Sequence, residues 1–533
     1  MEEKKTNSQS IIKSGSFLTI LTFISRILGL IREMVKSRFL GTSPLADAFT
    51  VSFLIPNLLR RLFAENSMTV AFIPTFKELL ERSEDDKGNL KEFLSSIFTL
   101  LTFFTSLIVC IGILITPIIL TLLFPKLEDK TSAIILTKIM FPYLVFISIA
   151  AFFQGILNGV KIFSPSGFTP ILFNLSVICC TYLFSKTLGN PAIAMAIGVV
   201  FGGFCQAIFQ LPYVLHRRFY FSFTSIKKAL KNTYTKKTLR LIAPTIIGMA
   251  AYQINDLVST SLATAYGTGI ASSLQYSLRL QELILGIFVV SISSVILPDL
   301  STYAIKNEWK SFENLLMQSM KIIALITIPA SFFAFFSSEE IVSIIYKSHQ
   351  FDSSSVNLTM KAFNCHIVGL FFIALNRVIS PAFYAMHDSD SPTLSGIASF
   401  FVNISFAFIL AKWFLGSGIA ISLSIASFIN TFLLFLLLYR KKNINVKVLL
   451  KNIFSFSLKI TFFSSIAILP VCFFIKPLEN FLFYNLHFKM TISFSLSLLI
   501  LFFLFALIGI ALLGITKDKT FVVLLKKLKI IKR

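Results

Sequence analysis

The chain has 533 residues, of which 55% are hydrophobic and only 14% are charged, and this balance excludes a soluble globular domain. The formal net charge is +24, but the sequence has no soluble basic domain that could bind nucleic acid. The excess of basic residues is instead expected in the loops that orient a membrane protein. Lipid is therefore the expected solvent for most of the chain.

Apolar segments follow one another from end to end, separated by short polar or turn-forming clusters. About 20 helical residues are needed to cross a hydrocarbon core of about 30 Å, and backbone groups in lipid must find their partners within helices. We therefore predict an all-α polytopic membrane protein with about fourteen transmembrane helices. Their approximate limits are 11–39, 45–80, 91–123, 131–160, 167–187, 191–215, 238–265, 270–303, 312–336, 354–386, 391–412, 418–439, 449–475 and 480–515.

An even number of spans places both termini on the same side of the membrane, and the basic residues indicate which side. The two tails and the loops on their side carry 30 lysines and arginines, whereas the opposite loops carry about 7. Because cytoplasmic loops are enriched in basic residues, both termini are predicted to be cytoplasmic. The polar residues 1–10 are interpreted as a retained tail rather than as a signal peptide.

The most basic connection, residues 216–240, follows the sixth predicted helix and mixes aromatic residues with cations. Such a segment is typical of an amphipathic linker that lies along the anionic inner leaflet. It separates the first twelve helices into two six-helix lobes and leaves a C-terminal helix pair. The predicted organisation is a cytoplasmic tail at 1–10, a first lobe at 11–215, the linker at 216–240, a second lobe at 241–440, the helix pair at 441–515 and a basic cytoplasmic tail at 516–533.

Ionisable residues inside three predicted spans are the main functional signal. They are Arg26, Arg32 and Glu33 in the first span, Asp47, Arg60, Arg61 and Glu65 in the second, and Arg279 and Glu282 in the eighth. One arginine at the bilayer centre costs about 2.5–3.5 kcal/mol on a lenient scale, so four facing lipid would cost roughly 10–14 kcal/mol. We therefore expect these side chains to face a shared, water-filled interior.

The spacing of these residues supports that interpretation, because Arg26, Gly29 and Glu33 fall on one helical stripe. Arg61 and Glu65 lie near a helix end, where pairing with an acid or an interfacial position is favoured. Pairing cannot serve the other four arginines together, because these spans contain too few acids. An excess of guanidinium groups in a cavity suits a phosphate-bearing substrate, since forked donors match phosphate oxygens.

Motifs for other chemistries are missing from the sequence. It contains no HExxH motif and no phosphate-binding glycine loop, and its six cysteines lie in apolar segments without CxxC spacing. No metal site, no cofactor and no ATP hydrolysis are therefore predicted. Asp256 and Asp299 are candidates for a coupling-ion site, with capping or interfacial roles as the alternative. Asn403 and Asn430 are expected to form hydrogen bonds between helices.

Six short motifs carry a family resemblance, and it is densest in the first two spans. They are SRILGLIRE at 25–33, ADAF at 46–49, PNLLRRLFAEN at 56–66, AFIPTF at 71–76, YQIN at 252–255 and RLQE at 279–282. These motifs resemble the MurJ (MviN) family of lipid II flippases, within the multidrug/oligosaccharidyl-lipid/polysaccharide exporter superfamily. The C-terminal third matches only in helix count and hydropathy.

The resemblance implies two six-helix lobes and a final helix pair that provides a groove for a lipid tail. It assigns the essential cavity arginines to Arg26, Arg32, Arg60 and Arg279. It assigns the acidic position of the early spans to Asp47, and Glu33, Glu65 and Glu282 are expected to support the arginines. Glu282 is three residues from Arg279, and we predict that it holds Arg279 in the empty cavity and releases it to an incoming diphosphate.

The sequence departs from the family pattern at four positions. Glu33 stands where many members have Asp, Asn66 replaces Gly, and Ile284 replaces a Pro, which puts the shape of the eighth helix in doubt. A sodium site described for some members lacks an acidic ligand here, because Ala407 stands one turn after Asn403.

The predicted function is transfer of lipid II, an undecaprenyl-diphosphate-linked disaccharide peptide, between leaflets of the bacterial plasma (inner) membrane. Alternating access of the two lobes would serve cell-wall synthesis and cell shape. A cation-coupled multidrug exporter, or another polysaccharide-lipid exporter of the superfamily, is the alternative, although arginines in the cavity repel cationic drugs. A membrane enzyme is disfavoured, because no loop offers a catalytic carboxylate pair. Lipid II and membrane lipids are the expected partners. Two points are left open: coupling to the membrane potential or to a monovalent cation, and contacts with cell-wall synthesis proteins.

Overall fold

The structure is a computed structural model that describes residues 2–62, 71–82, 87–441, 443–516, 518 and 521. Within these ranges the secondary structure is helical and contains no β-strand, which confirms the predicted all-α class. Contacts divide the chain into two compact units, Met1–Ser272 and Ser273–Arg533.

The first unit holds the helices that carry the N-terminal charges. They are α1 (Glu2–Leu40), α2 (Pro44–Arg60), α3 (Ile73–Arg82), α4 (Lys87–Leu123), α5 (Lys130–Met140), α6 (Tyr143–Gly159), α7 (Ser164–Leu188), α8 (Pro191–His216), α9 (Ile226–Lys231) and α10 (Thr233–Tyr266). Helix α2 begins where Ser43 accepts a hydrogen bond from the Ala46 N–H at 3.3 Å, with Pro44 at the first helical position. Asn190 and Pro191 start α8 in the same way. Helix α11 (Ile270–Ile305) begins in this unit and ends in the second.

Helices α7 and α8 form a hairpin that is packed through glycine. A Cβ atom on Gly198 would lie 2.8 Å from the Cα of Val177, and one on Gly202 would lie 2.9 Å from the ring of Phe173. Both distances are shorter than side chains tolerate, so the two backbones approach more closely than alanine would allow. Phe173 and Val177 belong to the buried core of the first unit, which α2, α5 and α6 complete.

The second unit contains the remaining helices. They are α12 (Trp309–Phe336), α13 (Ser338–Tyr346), α14 (Ser353–Val368), α15 (Leu370–Ala385), α16 (Asp390–Tyr439), α17 (Val446–Ala467), α18 (Leu469–Asn480), a π-helical turn (Phe481–Asn485) and α19 (Met490–Ile515). Its core includes a cluster in which α12 packs against α18 and α19 through Phe333, Val471 and Phe505.

Two breaks interrupt the long helices of the second unit. Leu415 has a φ of 51° inside α16, and a Cβ on Gly418 would overlap the carbonyl group of Leu410. Helix α16 therefore consists of two segments that correspond to the predicted helices 391–412 and 418–439. Helices α14 and α15 are bent by 42° at Gly369, whose position against Ser424 leaves no room for a Cβ.

The observed helices refine the predicted ones. In the described part of the chain, eight helices are long and apolar enough to cross a membrane, or nine if the bent pair α14 and α15 is one span. The number fourteen stays a prediction. Helix α10 begins at Thr233 rather than 238, and the short helix α13 was not predicted. The predicted helix 45–80 includes residues 63–70, which lie outside the described residues.

Candidate functional site

Arg32 lies at the contact of α1 with α7, where four neighbours hold its guanidinium group. Its Nη2 forms an ion pair with Glu33 at 2.6 Å, and its Nη1 donates to the Oδ1 of Asn174 at 3.2 Å. The ring centres of Phe53 and Phe173 lie 6.0 and 5.6 Å from its central carbon. The side chain is only 14% exposed. These contacts fix the orientation of the fork and use two of its five N–H donors, so donors remain for a further acceptor.

Asn174 of α7 was not predicted as a partner of Arg32. Its amide group donates to the carbonyl oxygen of Ser25 at 3.2 Å, about two turns before Arg32 on α1. A Cβ on Gly29 would lie 3.8 Å from this amide, an ordinary contact distance at which alanine would also fit. The side chain of Asn174 therefore packs α7 against α1 beside Gly29.

The remaining arginines of the first unit have different surroundings. Arg26 is half-buried on α1, and the Nε of Arg60 donates to the Oδ1 of Asn57 at 3.0 Å at the end of α2. Arg61 forms an ion pair with Asp256 of α10 at 3.3 Å. The pairing interpretation of Arg61 is confirmed, although Glu65, the acid predicted beside it, lies outside the described residues. A cavity shared by Arg26, Arg32 and Arg60 stays a prediction.

Asp47 is buried in the first turn of α2, with 3% of its surface exposed. Its two carboxylate oxygens accept hydrogen bonds from the backbone N–H groups of Gly269, at 2.6 Å, and Ser272, at 2.8 Å. These groups belong to the first turn of α11, where a carboxylate also interacts favourably with the helix dipole. Asp47 therefore attaches α2 to the beginning of α11.

Lys36 was missed by the sequence analysis and lies close to this attachment. It is 6% exposed, its Nζ donates to the Oγ1 of Thr50 at 2.7 Å, and it interacts electrostatically with Asp47. A buried lysine requires such partners, because an unpaired charge in an apolar environment is unfavourable. Its position one turn after Arg32 in the first span was the available signal.

Arg279 and Glu282 lie together on α11 in the second unit. Their side chains form the predicted ion pair, with Nη1 and Oε2 separated by 3.0 Å. The opposite side of α11 is held by His366 of α14, whose Nδ1 lies 2.7 Å from the Oγ of Ser277 and whose carbonyl oxygen accepts a hydrogen bond from Gln281. Because residues 277 and 281 lie on one stripe, Arg279 and Glu282 point away from α14.

The departures at Ile284 and Ala407 can be followed in the structure. Helix α11 continues through Ile284 without a break, so the missing proline leaves a regular backbone there. Asn403 is buried and accepts a hydrogen bond from the Oγ of Ser422 at 2.9 Å across the break in α16, which confirms its predicted role between helices. Ala407 is buried as well.

The arrangement defines a class of protein: a polytopic helical membrane protein in which two arginines of the apolar helices, Arg32 and Arg279, are paired with carboxylates. The fold is shared with a solved structure of a multidrug resistance MATE family transporter in an inward-facing conformation, at 16% identity and a TM-score of 0.65 over 80% of this chain and 96% of that chain.

Within that class the chain belongs to the MurJ family. The family model described as "Lipid II flippase MurJ" matches residues 36–490. A relative from Treponema pallidum (strain Nichols), named "Probable lipid II flippase MurJ", is 48% identical over 468 residues, which is 87% of this chain and 88% of that protein. A relative of the same name from Vibrio cholerae is 31% identical over 81% of this chain and 83% of its own length. A solved structure titled "Lipid II flippase MurJ, inward closed conformation" has 27% identity and a TM-score of 0.76, covering 94% of this chain and 99% of that one.

Proposed function

We propose that this chain flips lipid II from the inner to the outer leaflet of a bacterial inner membrane, as a non-enzymatic, multi-pass transporter. The observation that carries the proposal is membership of the MurJ family over most of the chain. The site supports it, because Arg32 and Arg279 each present a fork that a single carboxylate holds in place.

In the proposed mechanism, the guanidinium groups of Arg32 and Arg279 exchange one anion for another. The diphosphate of the cargo replaces Glu33 on Arg32 and Glu282 on Arg279, so neither guanidinium group is left unpaired during binding. Arg26 and Arg60 add positive potential to the same cavity. The cargo phosphates thereby bridge the two lobes, and rocking of one lobe against the other exposes the headgroup to the opposite side.

The polyprenyl tail would stay in lipid, along the helix pair formed by residues 441–515. Both termini would be cytoplasmic, because the positive-inside rule places the basic tail and the linker 216–240 on that side. The transfer requires a driving force, which we assign to the membrane potential or to a monovalent cation. Moving one charge across 100 mV is worth about 2.3 kcal/mol.

Proteoliposomes with headgroup-labelled lipid II test the function directly. The label is quenched from outside by a membrane-impermeant reagent, with and without an imposed potential, in vesicles that contain the chain, its Arg32→Ala variant or no protein. We expect transfer above the protein-free rate only with the unmodified chain. Equal rates in all three samples, together with normal lipid II transfer in cells depleted of this protein, would contradict the proposal.

A drug-export function predicts a different outcome from the same vesicles. The MATE likeness, at 16% identity, reports the fold alone. Uptake of a radiolabelled organic cation that is faster with the chain than without it would favour that alternative. We expect none, because guanidinium groups repel cationic cargo.

A further inference from the structure

An apolar pocket lies on the second unit between α15, the later segment of α16 and the beginning of α17. Its volume is about 370 Å³. Phenylalanine is the commonest residue in its wall, at Phe371, Phe372, Phe428, Phe432, Phe435 and Phe454. Phe432 and Phe454 are 58% and 70% exposed, so this wall is open toward the surrounding bilayer.

The pocket suits a hydrocarbon chain better than water. A volume of this size lies in the range of about 300–1,000 Å³ that accommodates small ligands. Three hydroxyl groups line the pocket. That of Thr431 already bonds the Oδ1 of Asn376 at 2.8 Å and the carbonyl oxygen of Ser427 at 2.9 Å, and that of Tyr439 lies at one end. Ser457 has no hydrogen-bond partner, and its hydroxyl group alone cannot hold a water that needs two to four polar contacts.

One end of the pocket is basic. Tyr439, the last residue of α16, belongs to the wall, and the Nζ of Lys447 lies 5.9 Å from the centre of its ring. Lys447 is one turn before Leu450, another wall residue on α17, and Arg440 follows Tyr439 in an exposed position. Lys441, by contrast, is paired with Asp388 at 2.8 Å. An exposed ammonium group at the end of an apolar pocket is complementary to a phosphate attached to a hydrocarbon chain.

We propose that this pocket binds an anionic phospholipid of the inner leaflet, with one acyl chain among the phenylalanines and its phosphate at Lys447. The open wall faces the bilayer, where phospholipids surround the protein, and the exposed ammonium group of Lys447 is complementary to an anionic headgroup. The polyprenyl tail of the cargo, proposed above to lie along residues 441–515, is the competing occupant that the test below separates. The basic loop that follows Tyr439 is predicted to be cytoplasmic, which assigns the site to the inner leaflet. The site is independent of the arginine cavity, so the proposal does not rest on the proposed function.

Lipid retention by the purified full-length chain tests the proposal. The chain is transferred from nanodiscs of equal phosphatidylglycerol and phosphatidylcholine content into detergent, and the retained lipids are identified by native mass spectrometry. We expect phosphatidylglycerol to be retained about fivefold over phosphatidylcholine, because both have a phosphate but only phosphatidylglycerol has a net negative headgroup charge to interact with one lysine. Lys447→Gln should remove this preference, whereas Lys412→Gln, the same charge change at an exposed position in the earlier segment of α16, should keep it.

A second variant separates the acyl-chain pocket from the charge. Ser457→Leu places a larger side chain in the pocket and should reduce retention of both phospholipids, with the helical content measured by circular dichroism unchanged. Equal retention of the two phospholipids by the unmodified chain, or retention unaffected by both Lys447→Gln and Ser457→Leu, would overturn the proposal. Displacement of the retained phosphatidylglycerol by an equal amount of undecaprenyl phosphate would also overturn it, because the occupant would then be the polyprenyl chain.

Discussion

Replacing Asp47 with asparagine changes the attachment between α2 and the first turn of α11 without changing the size of the side chain. The carboxylate accepts from two backbone N–H groups, those of Gly269 and Ser272. An amide group has one acceptor oxygen, and its NH₂ group faces whichever N–H the oxygen does not reach. The substitution therefore removes one charge-assisted hydrogen bond and converts the other into a neutral one.

The expected cost follows from these two changes. Losing a buried hydrogen bond to a charged group costs about 1.5–3 kcal/mol, and weakening the second adds about 1 kcal/mol. The sum is about 2.5–4 kcal/mol before any effect on buried Lys36, which loses the negative charge beside it. Because these contacts join a helix start to one neighbour, the cost should appear as local opening near Gly269 rather than as unfolding of the whole unit.

Hydrogen–deuterium exchange of peptides covering 262–272 measures this opening. Exchange at Gly269 and Ser272 should accelerate by about 60- to 700-fold in Asp47→Asn, since 1.4 kcal/mol corresponds to a factor of ten. Asp129→Asn, the same change at the residue that caps the start of α5, serves as the control and should leave exchange at both amides unchanged. Unchanged exchange at both amides in Asp47→Asn would show that the carboxylate does not hold α11.

Three further predictions concern the arginines and one ion pair between helix connections, that of Asp388 with Lys441. Arg32→Lys should impair lipid II transfer nearly as much as Arg32→Ala, because a point charge cannot reproduce the fork; full rescue by lysine would refute forked recognition. Arg279→Ala should abolish diphosphate-lipid binding with normal membrane insertion, whereas Glu282→Gln should preserve or raise binding; normal transfer by Arg279→Ala would confine the site to the first lobe. Burial raises the pKa of Asp388, but its bond to Lys441 and its hydrogen bonds outweigh burial and lower the pKa from 3.8 to about 2. The stability that this ionised carboxylate contributes is therefore fully present above about pH 4 and should be lost as the pH falls toward 2. Chemical denaturation should show this pH dependence in the unmodified chain and not in Asp388→Asn.

Local rules predicted the features that depend on neighbouring residues. The pairing of Arg279 with Glu282 follows from a spacing of three on a helix, and the polar clusters between apolar segments located most helix ends. The sequence predicts that Arg61 pairs with an acid but not which acid, because Asp256 is 195 residues away in sequence. The contacts of Arg32 with Asn174 and of Asp47 with Gly269 could not be predicted either, because they arise from helix packing and not from spacing along one helix.

The bend at Gly369 was the least predictable part of the fold. The turn at Leu415 lies in the gap between the predicted helices 391–412 and 418–439, so the sequence located it. The bend at Gly369 depends on the close approach of Ser424, 55 residues later, and this contact cannot be inferred from hydropathy. The burial of Lys36 escaped prediction for a similar reason, because its partner Thr50 lies on another helix.

The contacts of His366 with Ser277 and Gln281 have a mechanical consequence for transport. Rotating α11 about its own axis by the 100° of one residue would turn both side chains away from His366 and leave buried polar groups unsatisfied. These contacts therefore oppose torsion of α11 but not its translation together with α14. In the proposed mechanism, Arg279 would reach the cargo by a shift of both helices as one piece, and the bend at Gly369, between α14 and α15, is where that displacement would be absorbed.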